Sequence, residues 1–175
     1  MTQTLSVSGA VVRLARIRDL PCVIAMWEQF HREIGRRYVP LVRLTQNNRR
    51  QITVHFEYLR KSRQLWLMWA ADRPVGYAAA VPNLSPLELP FSSASISDLY
   101  LMPEWRHCGL GRKLLVRVVR DIAARGLDAV TLTVAQGNPA RELYRSIGFC
   151  AWEENMILPC TGPAQKRLSR LLRGG

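Results

Sequence analysis

The spacing of apolar and polar positions divides the first half of the chain into two helices and a hairpin. Residues 11–16 alternate as an edge strand. Apolar residues then recur at helical spacing over residues 20–35 and again over residues 45–63, which predicts two amphipathic helices. Two apolar segments, residues 65–70 and 75–81, are joined by the turn sequence Ala-Asp-Arg-Pro and should pair as antiparallel strands.

A strand, a basic loop and a third helix occupy the middle of the chain. Residues 96–102 suit a strand, which Pro103 ends. From about Gly109 to residue 125, apolar residues line one helical face and basic residues the other. Residues 129–134 alternate as the next strand, which should pair in parallel with the strand before the helix through a right-handed crossover.

The end of this pattern and its overall order predict the fold class. Residues 149–158 are expected to close the sheet with one or two antiparallel strands. The whole order predicts an α/β domain whose mixed, mostly antiparallel sheet is flanked by helices.

Two glycines at the start of the third helix point to a ligand. Gly109 and Gly111 each lose about 1 kcal/mol of helix propensity relative to alanine. A helix start offers unpaired N–H groups and positive potential, which suit a phosphate group, and glycine lets a ligand approach the backbone. Arg106, His107 and Arg112 add side-chain donors. The alternative is a tight strand-to-helix turn that carries surface arginines.

Two common phosphate motifs do not fit this loop. The P-loop pattern G-x-x-x-x-G-K-[ST] fails because Leu114 follows Lys113 and no glycine stands five residues before that lysine. The dinucleotide pattern G-x-G-x-x-G begins at Gly109 but ends on Leu114.

Two motifs together resemble those of the GNAT superfamily of N-acetyltransferases. The first, R-x-x-G-x-G, occurs at Arg106, Gly109 and Gly111 behind a strand. The second, A-x-x-L-Y-x-x-x-G-F, starts about 35 residues downstream at Ala140 and includes Tyr144. The resemblance covers roughly residues 11–158 and implies a three-layer fold that uses acetyl-coenzyme A as co-substrate.

The resemblance also assigns cofactor-binding roles. The loop that would wrap the pyrophosphate consists of Arg106, His107, Cys108, Gly109, Leu110, Gly111 and Arg112, and the strand that would bind the pantetheine arm contains Leu99, Tyr100 and Leu101. The family's usual asparagine falls at the position that Gly137 holds in this chain, and Asn138 stands one residue later. Because Pro139 follows it, Asn138 is also a candidate helix N-cap that needs no ligand.

The catalytic roles implied by the resemblance fall on Tyr144 and Asp98. Tyr144 matches the residue that often gives a proton to the departing thiolate; the alternative is a packing tyrosine. Many members carry a glutamate where this chain has Ser97, which leaves Asp98 as the strand's carboxylate. Asp98 is therefore a candidate base, directly or through water, or a structural hydrogen-bond partner. Strand alternation predicts that Asp98 shares a face with Ile96 and Tyr100.

Four ionisable residues on the first two helices are expected to be surface or capping residues, namely His31, Glu33, His55 and Glu57.

Length and composition set the domain plan and the compartment. A chain of 175 residues is enough for one domain, with a flexible lead at residues 1–10, the acetyltransferase domain at 11–160 and a basic tail at 161–175. No apolar run approaches the roughly 20 residues that span a bilayer. No signal-peptide pattern is visible, so we expect a cytoplasmic protein. The four cysteines do not have zinc-site spacing, so no metal is expected.

The net charge of +12 bears on possible partners. Because 25 basic residues stand against 13 acidic ones, a polycationic acceptor is not favoured, and we expect a small-molecule amine or a peptide or protein N-terminus. Two alternatives remain: a non-catalytic acyl-coenzyme A sensor, and an RNA-associated acetyltransferase that acts on aminoacyl-tRNA. A homodimer is possible, and the length of the loop at residues 82–93 favours contact with substrate or with a second subunit.

Overall fold

A computed structural model describes residues 9–37, 45–83 and 91–154. The predicted lead lies mostly, and the basic tail wholly, outside the described residues. The strands are β1 (Val11–Leu14), β2 (Leu65–Ala70), β3 (Arg73–Asn83), β4 (Ser93–Leu101) and β5 (Ala129–Leu132), and the α-helices are α1 (Leu20–Arg37), α2 (Gln46–Lys61), α3 (Leu110–Ala123) and α4 (Ala140–Arg145). Single 3₁₀ turns at Ile17–Asp19 and Pro103–Trp105 precede α1 and the loop before α3.

The five described strands form one mixed sheet in the order β1-β2-β3-β4-β5. Three pairs are antiparallel, namely β1 with β2, β2 with β3 and β3 with β4, and β4 pairs with β5 in parallel. The predicted α/β class, the hairpin and the parallel pair are therefore confirmed. The predicted closing strands are not seen at residues 149–154, and residues 155–158 lie outside the described residues.

The sheet is buried on both faces. On one face, α1 and α2 pack over a core that contains Phe56, Leu59 and Leu67. On the other, α3 packs over a core that contains Trp66 and Leu114. Successive residues of β2 thus enter opposite cores, which explains why this strand is apolar at every position instead of alternating.

Local sequence signals account for several element ends. Thr45 starts α2 with a capping box, in which Thr45 Oγ1 accepts from the Asn48 N–H (3.3 Å) and Asn48 Oδ1 accepts from the Thr45 N–H (2.9 Å). Ala71 and Asp72 both have positive φ, 47° and 56°, as a tight two-residue hairpin turn requires.

Cationic side chains cover the free edge of β1. Alternate carbonyls of this strand and of the residue before it accept hydrogen bonds, from Lys113 Nζ to Ala10 O, from Arg117 Nη1 to Val12 O and from Arg13 Nη1 to Leu14 O. Charged groups on an edge strand oppose pairing with another chain. Part of the basic face of α3 therefore has a structural role that needs no ligand.

None of the helices within residues 9–37, 45–83 and 91–154 is long and apolar enough to cross a membrane.

Candidate active site

A β-bulge at Ser97 fixes the geometry of β4. Ala79 lies opposite Asp98, whereas the next residue, Ala80, lies opposite Ile96, so Ser97 is an extra residue in β4. The prediction that Ile96 shares a face with Asp98 and Tyr100 is therefore wrong for Ile96, whereas Asp98 and Tyr100 do lie on one face. Ile96 packs in the α3 core, whereas Tyr100 packs in the core beneath α1 and α2, and Asp98 bonds to a residue of that second core.

The bulge coincides with an opening between β4 and β5. The ladder between these strands runs from the Ser93 and Ala129 pair to the Ile96 and Leu132 pair and ends there. From Asp98 to Leu101, β4 remains paired with β3 on its other side, but from Ser97 onward β5 gives it no partner in the described part of the chain. The predicted pantetheine strand, Leu99, Tyr100 and Leu101, thus lacks a strand partner on this side, and its outward backbone groups suit a ligand, except the Leu101 carbonyl, which accepts from Arg106 Nε.

The N-terminus of α3 carries backbone N–H groups that have no hydrogen-bond acceptor in the described residues. Gly109 precedes the helix at φ +84°, and no described side chain caps this end. The N–H groups of the first turn, at Leu110, Gly111 and Arg112, therefore lack intrahelical partners and suit an anion.

The structure gives a reason for glycine at one of the two positions. A Cβ on Gly109 would meet nothing within 4 Å, so glycine serves its left-handed backbone. A Cβ on Gly111 would lie 3.4 Å from Leu143 Cδ2 and 3.6 Å from Leu101 Cδ1, which are ordinary van der Waals distances, so packing does not require glycine there. Ligand approach is thus not the sole explanation for Gly109, whereas packing does not explain Gly111.

Two of the three basic side chains expected beside the phosphate are engaged within the protein. The Arg106 guanidinium donates to Glu33 Oε1 (2.7 Å), to Glu33 Oε2 (2.8 Å) and to the carbonyl of Leu101 (2.9 Å). Arg112 Nη1 donates to Oγ (2.9 Å) and O (3.2 Å) of Ser146, at the end of α4. The remaining one, His107, is exposed and has φ +61°. The loop therefore offers backbone N–H groups more readily than arginine side chains.

The thiol of Cys108 makes a hydrogen bond within the loop. Cys108 is exposed, and its Sγ donates to the carbonyl of Trp105 at 3.1 Å. Its side chain is therefore a local turn contact, and its backbone remains part of the loop.

Helix α4 presents Tyr144. Asn138 Oδ1 accepts from the N–H of Ala140, the first residue of α4, at 2.9 Å, so this side chain is engaged at the start of the helix, although Pro139 and not Asn138 stands at the N-cap. The half-buried Tyr144 ring packs 6.1 Å from Phe149 and lines a cavity of about 890 Å³ along β5. Burial raises the pKa of Tyr144 above its ordinary value, which keeps the hydroxyl protonated near neutral pH. No described residue hydrogen-bonds that hydroxyl.

Asp98 is 8% exposed and lies beneath the bulge. Its Oδ1 accepts from the Tyr77 hydroxyl at 3.1 Å and its Oδ2 from Ser97 Oγ at 2.8 Å. Burial raises the pKa of Asp98, against the opposing effect of the Ser97 hydrogen bond. A carboxyl group in this setting can hold or pass a proton.

The sequence did not reveal the residues of α1 that face the end of β4. Gln29 Oε1 accepts from the Tyr100 hydroxyl at 3.3 Å, and Phe30 lies 5.7 Å from the Tyr100 ring. Glu33, expected at the surface, holds Arg106. Gln29 and Glu33 are four residues apart, which places them on one helical face. That spacing does not predict which residues they contact.

His31 is less exposed than expected. It is half-buried, and its Nδ1 lies 3.1 Å from the Trp27 carbonyl. Because a carbonyl only accepts, Nδ1 carries the proton of the neutral ring and Nε2 is the acceptor.

No cluster of three or more potential metal ligands occurs in the described residues.

Comparison with known proteins decides the family. The model of the acetyltransferase (GNAT) family matches residues 26–149, which include the β4 bulge, the α3 loop and α4. The chain belongs to this family.

The curated relatives match a shorter segment. A mycothiol acetyltransferase of Thermobifida fusca is 39% identical over 66 residues, which are 35% of this chain and 20% of that protein. The alanine N-acetyltransferase of ribosomal protein bS18 from Haemophilus influenzae is 32% identical over 56 residues, 32% of this chain and 38% of that protein. The matched part thus covers well under two thirds of either relative.

Solved structures agree in fold over most of the chain. One described as a predicted acetyltransferase with acetyl-CoA, from Clostridium acetobutylicum, has a TM-score of 0.70 at 17% identity and covers 86% of this chain and 96% of its own. A GCN5-related N-acetyltransferase from Ralstonia eutropha has a TM-score of 0.67 at 20% identity, with 87% and 100% covered. At these identities the likeness establishes the fold.

Proposed function

We propose that the GNAT-family chain is an acetyl-coenzyme A-dependent N-acetyltransferase that acts on a primary amine. One observation carries the proposal: the ladder between β4 and β5 opens at the Ser97 bulge, and the uncapped start of α3 follows the open part of β4. A gap between strands suits an extended pantetheine arm, and the helix start suits a pyrophosphate.

The cofactor residues fit this ligand through backbone groups. The N–H groups of Leu110, Gly111 and Arg112 would hold the pyrophosphate, and outward backbone groups of β4 between Leu99 and Leu101 would bind the pantetheine amides. The Leu101 carbonyl is not among these groups, because it accepts from Arg106 Nε. An N–H on the same edge would stabilise the oxyanion of the tetrahedral intermediate. Asn138 is a weaker candidate, because its side-chain oxygen already accepts from the Ala140 N–H.

The reaction needs two proton movements. The amine lone pair attacks the thioester carbon, the C–S bond breaks, the sulfur gains a proton and the nitrogen loses one. Tyr144 holds a proton at neutral pH, in keeping with its proposed role as the acid. An alkyl amine is only about one part in a thousand neutral at pH 7.4, so a base is useful.

Asp98 is the proposed base, and it acts through an intermediary. Both of its oxygens accept hydrogen bonds within the protein, and it is almost fully buried. A buried carboxyl can still take a proton that water delivers, and its raised pKa strengthens it as a proton acceptor.

The acceptor is proposed to be a small-molecule amine or a peptide or protein N-terminus. The carboxylates of α1 do not form a cation pocket, because Glu28 pairs with Arg49 and Arg32, and Glu33 pairs with Arg106. A monocationic amine therefore fits better than a polyamine. One relative, by its name, acts on an alanine of a ribosomal protein.

Coenzyme A release with a panel of amines tests this function. Turnover with a small amine or an N-terminal peptide supports it. Binding of acetyl-coenzyme A without turnover on any amine favours the sensor alternative. Selective turnover of aminoacyl-tRNA, with salt-dependent RNA binding, favours the RNA-associated alternative. Dimerisation stays a prediction, which sedimentation analysis of the full chain would test.

A further inference from the structure

We propose that Glu33 is a positioning residue for acetyl-coenzyme A, which holds Arg106 so that the loop before α3 keeps its amides in place. The same contact joins α1 to the cofactor loop. This inference rests on the proposed function.

The contact between Glu33 and Arg106 is bidentate. Both terminal nitrogens of the guanidinium donate to the carboxylate, at 2.7 and 2.8 Å, and Nε donates to the carbonyl of Leu101 at 2.9 Å. The guanidinium also lies over the Tyr100 ring, 5.4 Å from its centroid. Both charged side chains are 28% exposed, so the pair is less screened than a surface ion pair. The arginine is therefore held by three groups: the Glu33 carboxylate, the Leu101 carbonyl and the Tyr100 ring.

The loop beyond Arg106 needs such an anchor. His107 has φ +61° and Gly109 has φ +84°, so two of the next three residues are left-handed. A non-glycine residue rarely adopts that conformation, and it persists where the surroundings enforce it. By holding Arg106 to α1 and to the end of β4, Glu33 fixes the point from which this turn starts. The turn then sets where the first N–H groups of α3 point.

Two further residues of α1 contact β4 beside the Glu33 and Arg106 pair. One turn before Glu33, Gln29 accepts from the Tyr100 hydroxyl at 3.3 Å, and Phe30 packs 5.7 Å from the same ring. One face of α1 therefore holds both Tyr100 on β4 and Arg106 on the loop. A change in the position of α1 is transmitted to the phosphate loop through these side chains.

The test compares Glu33→Gln with Glu28→Gln. Glu28 is a matched control, because it also lies on α1 and accepts two hydrogen bonds from an arginine, Arg49, but that arginine is on α2. Dissociation constants are measured for acetyl-coenzyme A and for coenzyme A, and turnover is measured with S-acetylpantetheine, which has no pyrophosphate. Arg106→Lys is a second variant, which keeps the charge but loses the bidentate geometry.

We expect Glu33→Gln to weaken acetyl-coenzyme A binding about tenfold, an ordinary size for coupling between sites, and to leave kcat/KM for S-acetylpantetheine nearly unchanged. Arg106→Lys should show a smaller loss of the same kind, and Glu28→Gln none. Equal losses with both acetyl donors would reduce Glu33 to a fold-stabilising residue. Unchanged or tighter acetyl-coenzyme A binding would also overturn the proposal, because it would mean that a released Arg106 serves the phosphate better.

The failure of this inference can be told apart from that of the proposed function. If the unaltered protein binds acetyl-coenzyme A but acetylates no amine, the function fails, and the comparison of dissociation constants still decides the role of Glu33. If the unaltered protein is active and Glu33→Gln binds normally, the positioning role alone fails. Absence of binding by the unaltered protein overturns both.

Discussion

The Tyr77 hydroxyl donates a 3.1 Å hydrogen bond to Oδ1 of Asp98, so a fully buried tyrosine on β3 holds the single carboxylate of β4. This pairing exists because the bulge at Ser97 turns Asp98 toward α1 and α2. Burial raises the pKa of both groups, and the negative charge of Asp98 adds to the effect on Tyr77. The site therefore opposes ionisation of Asp98.

The first prediction concerns the effect of Asp98 on stability with pH. Because its pKa is raised in the folded state, the folded protein binds more protons at this group than the unfolded chain does. Its contribution to the free energy of unfolding is therefore largest below the ordinary aspartate value of 3.8 and falls as pH rises through the raised folded pKa. Asp98→Asn removes this dependence. Urea unfolding of both proteins from pH 4 upward measures the difference, and parallel pH curves would contradict the prediction.

The second prediction is that Tyr144→Phe retains acetyl-coenzyme A binding and lowers kcat by about 10²- to 10⁴-fold, the usual range for general-acid help. The change removes a hydroxyl that no described residue bonds, and it leaves the packing against Phe149. Tyr58→Phe, on the exposed side of α2, is the control. Steady-state kinetics and a binding titration separate the two effects. Near-normal kcat between pH 6 and 9 would make Tyr144 a packing residue.

How much of the structure could be predicted depends on how far apart in the chain the interacting residues lie. The hairpin turn and the start of α3 depend on neighbouring residues, and the sequence predicted both. The capping box of α2 is equally local, but it was not predicted from the sequence. The bulge at Ser97 did not follow from alternation, since it is set by the register against β3. Likewise, Arg106 and Glu33 are 73 residues apart, and no local pattern links a loop arginine to that carboxylate.

The third prediction separates ligand binding from backbone conformation at Gly109. Gly109 and Gly126 lie at opposite ends of α3, have φ of 84° and 77°, and have open space where a Cβ would be. Alanine should destabilise the fold similarly at either position, by roughly 1 kcal/mol, because each needs a left-handed backbone. If the pyrophosphate binds at the start of α3, Gly109→Ala alone should reduce the thermal stabilisation that saturating acetyl-coenzyme A confers. Equal stabilisation of the two variants would place the phosphate elsewhere.

The last prediction concerns the free edge of β1. Lys113 and Arg117 donate to the outward carbonyls of Ala10 and Val12, so removing both side chains leaves two acceptors and an adjacent edge available to a second chain. We expect the double variant Lys113→Ala, Arg117→Ala to self-associate more than the unaltered protein. Arg120→Ala is the control. The side chain of this exposed arginine, on the same helix, makes no hydrogen bond or ion pair with the described residues, so its loss changes net charge without uncovering the edge.

Sedimentation velocity at several protein concentrations measures this association. The double variant should sediment as larger species at concentrations where Arg120→Ala matches the unaltered protein. Added salt should not reproduce the effect of the substitutions, since it screens the surface charge without removing the side chains that cover the strand. If the double variant stays as monodisperse as its control, the cations on α3 do not protect this edge, and their number needs another explanation, such as an anionic partner.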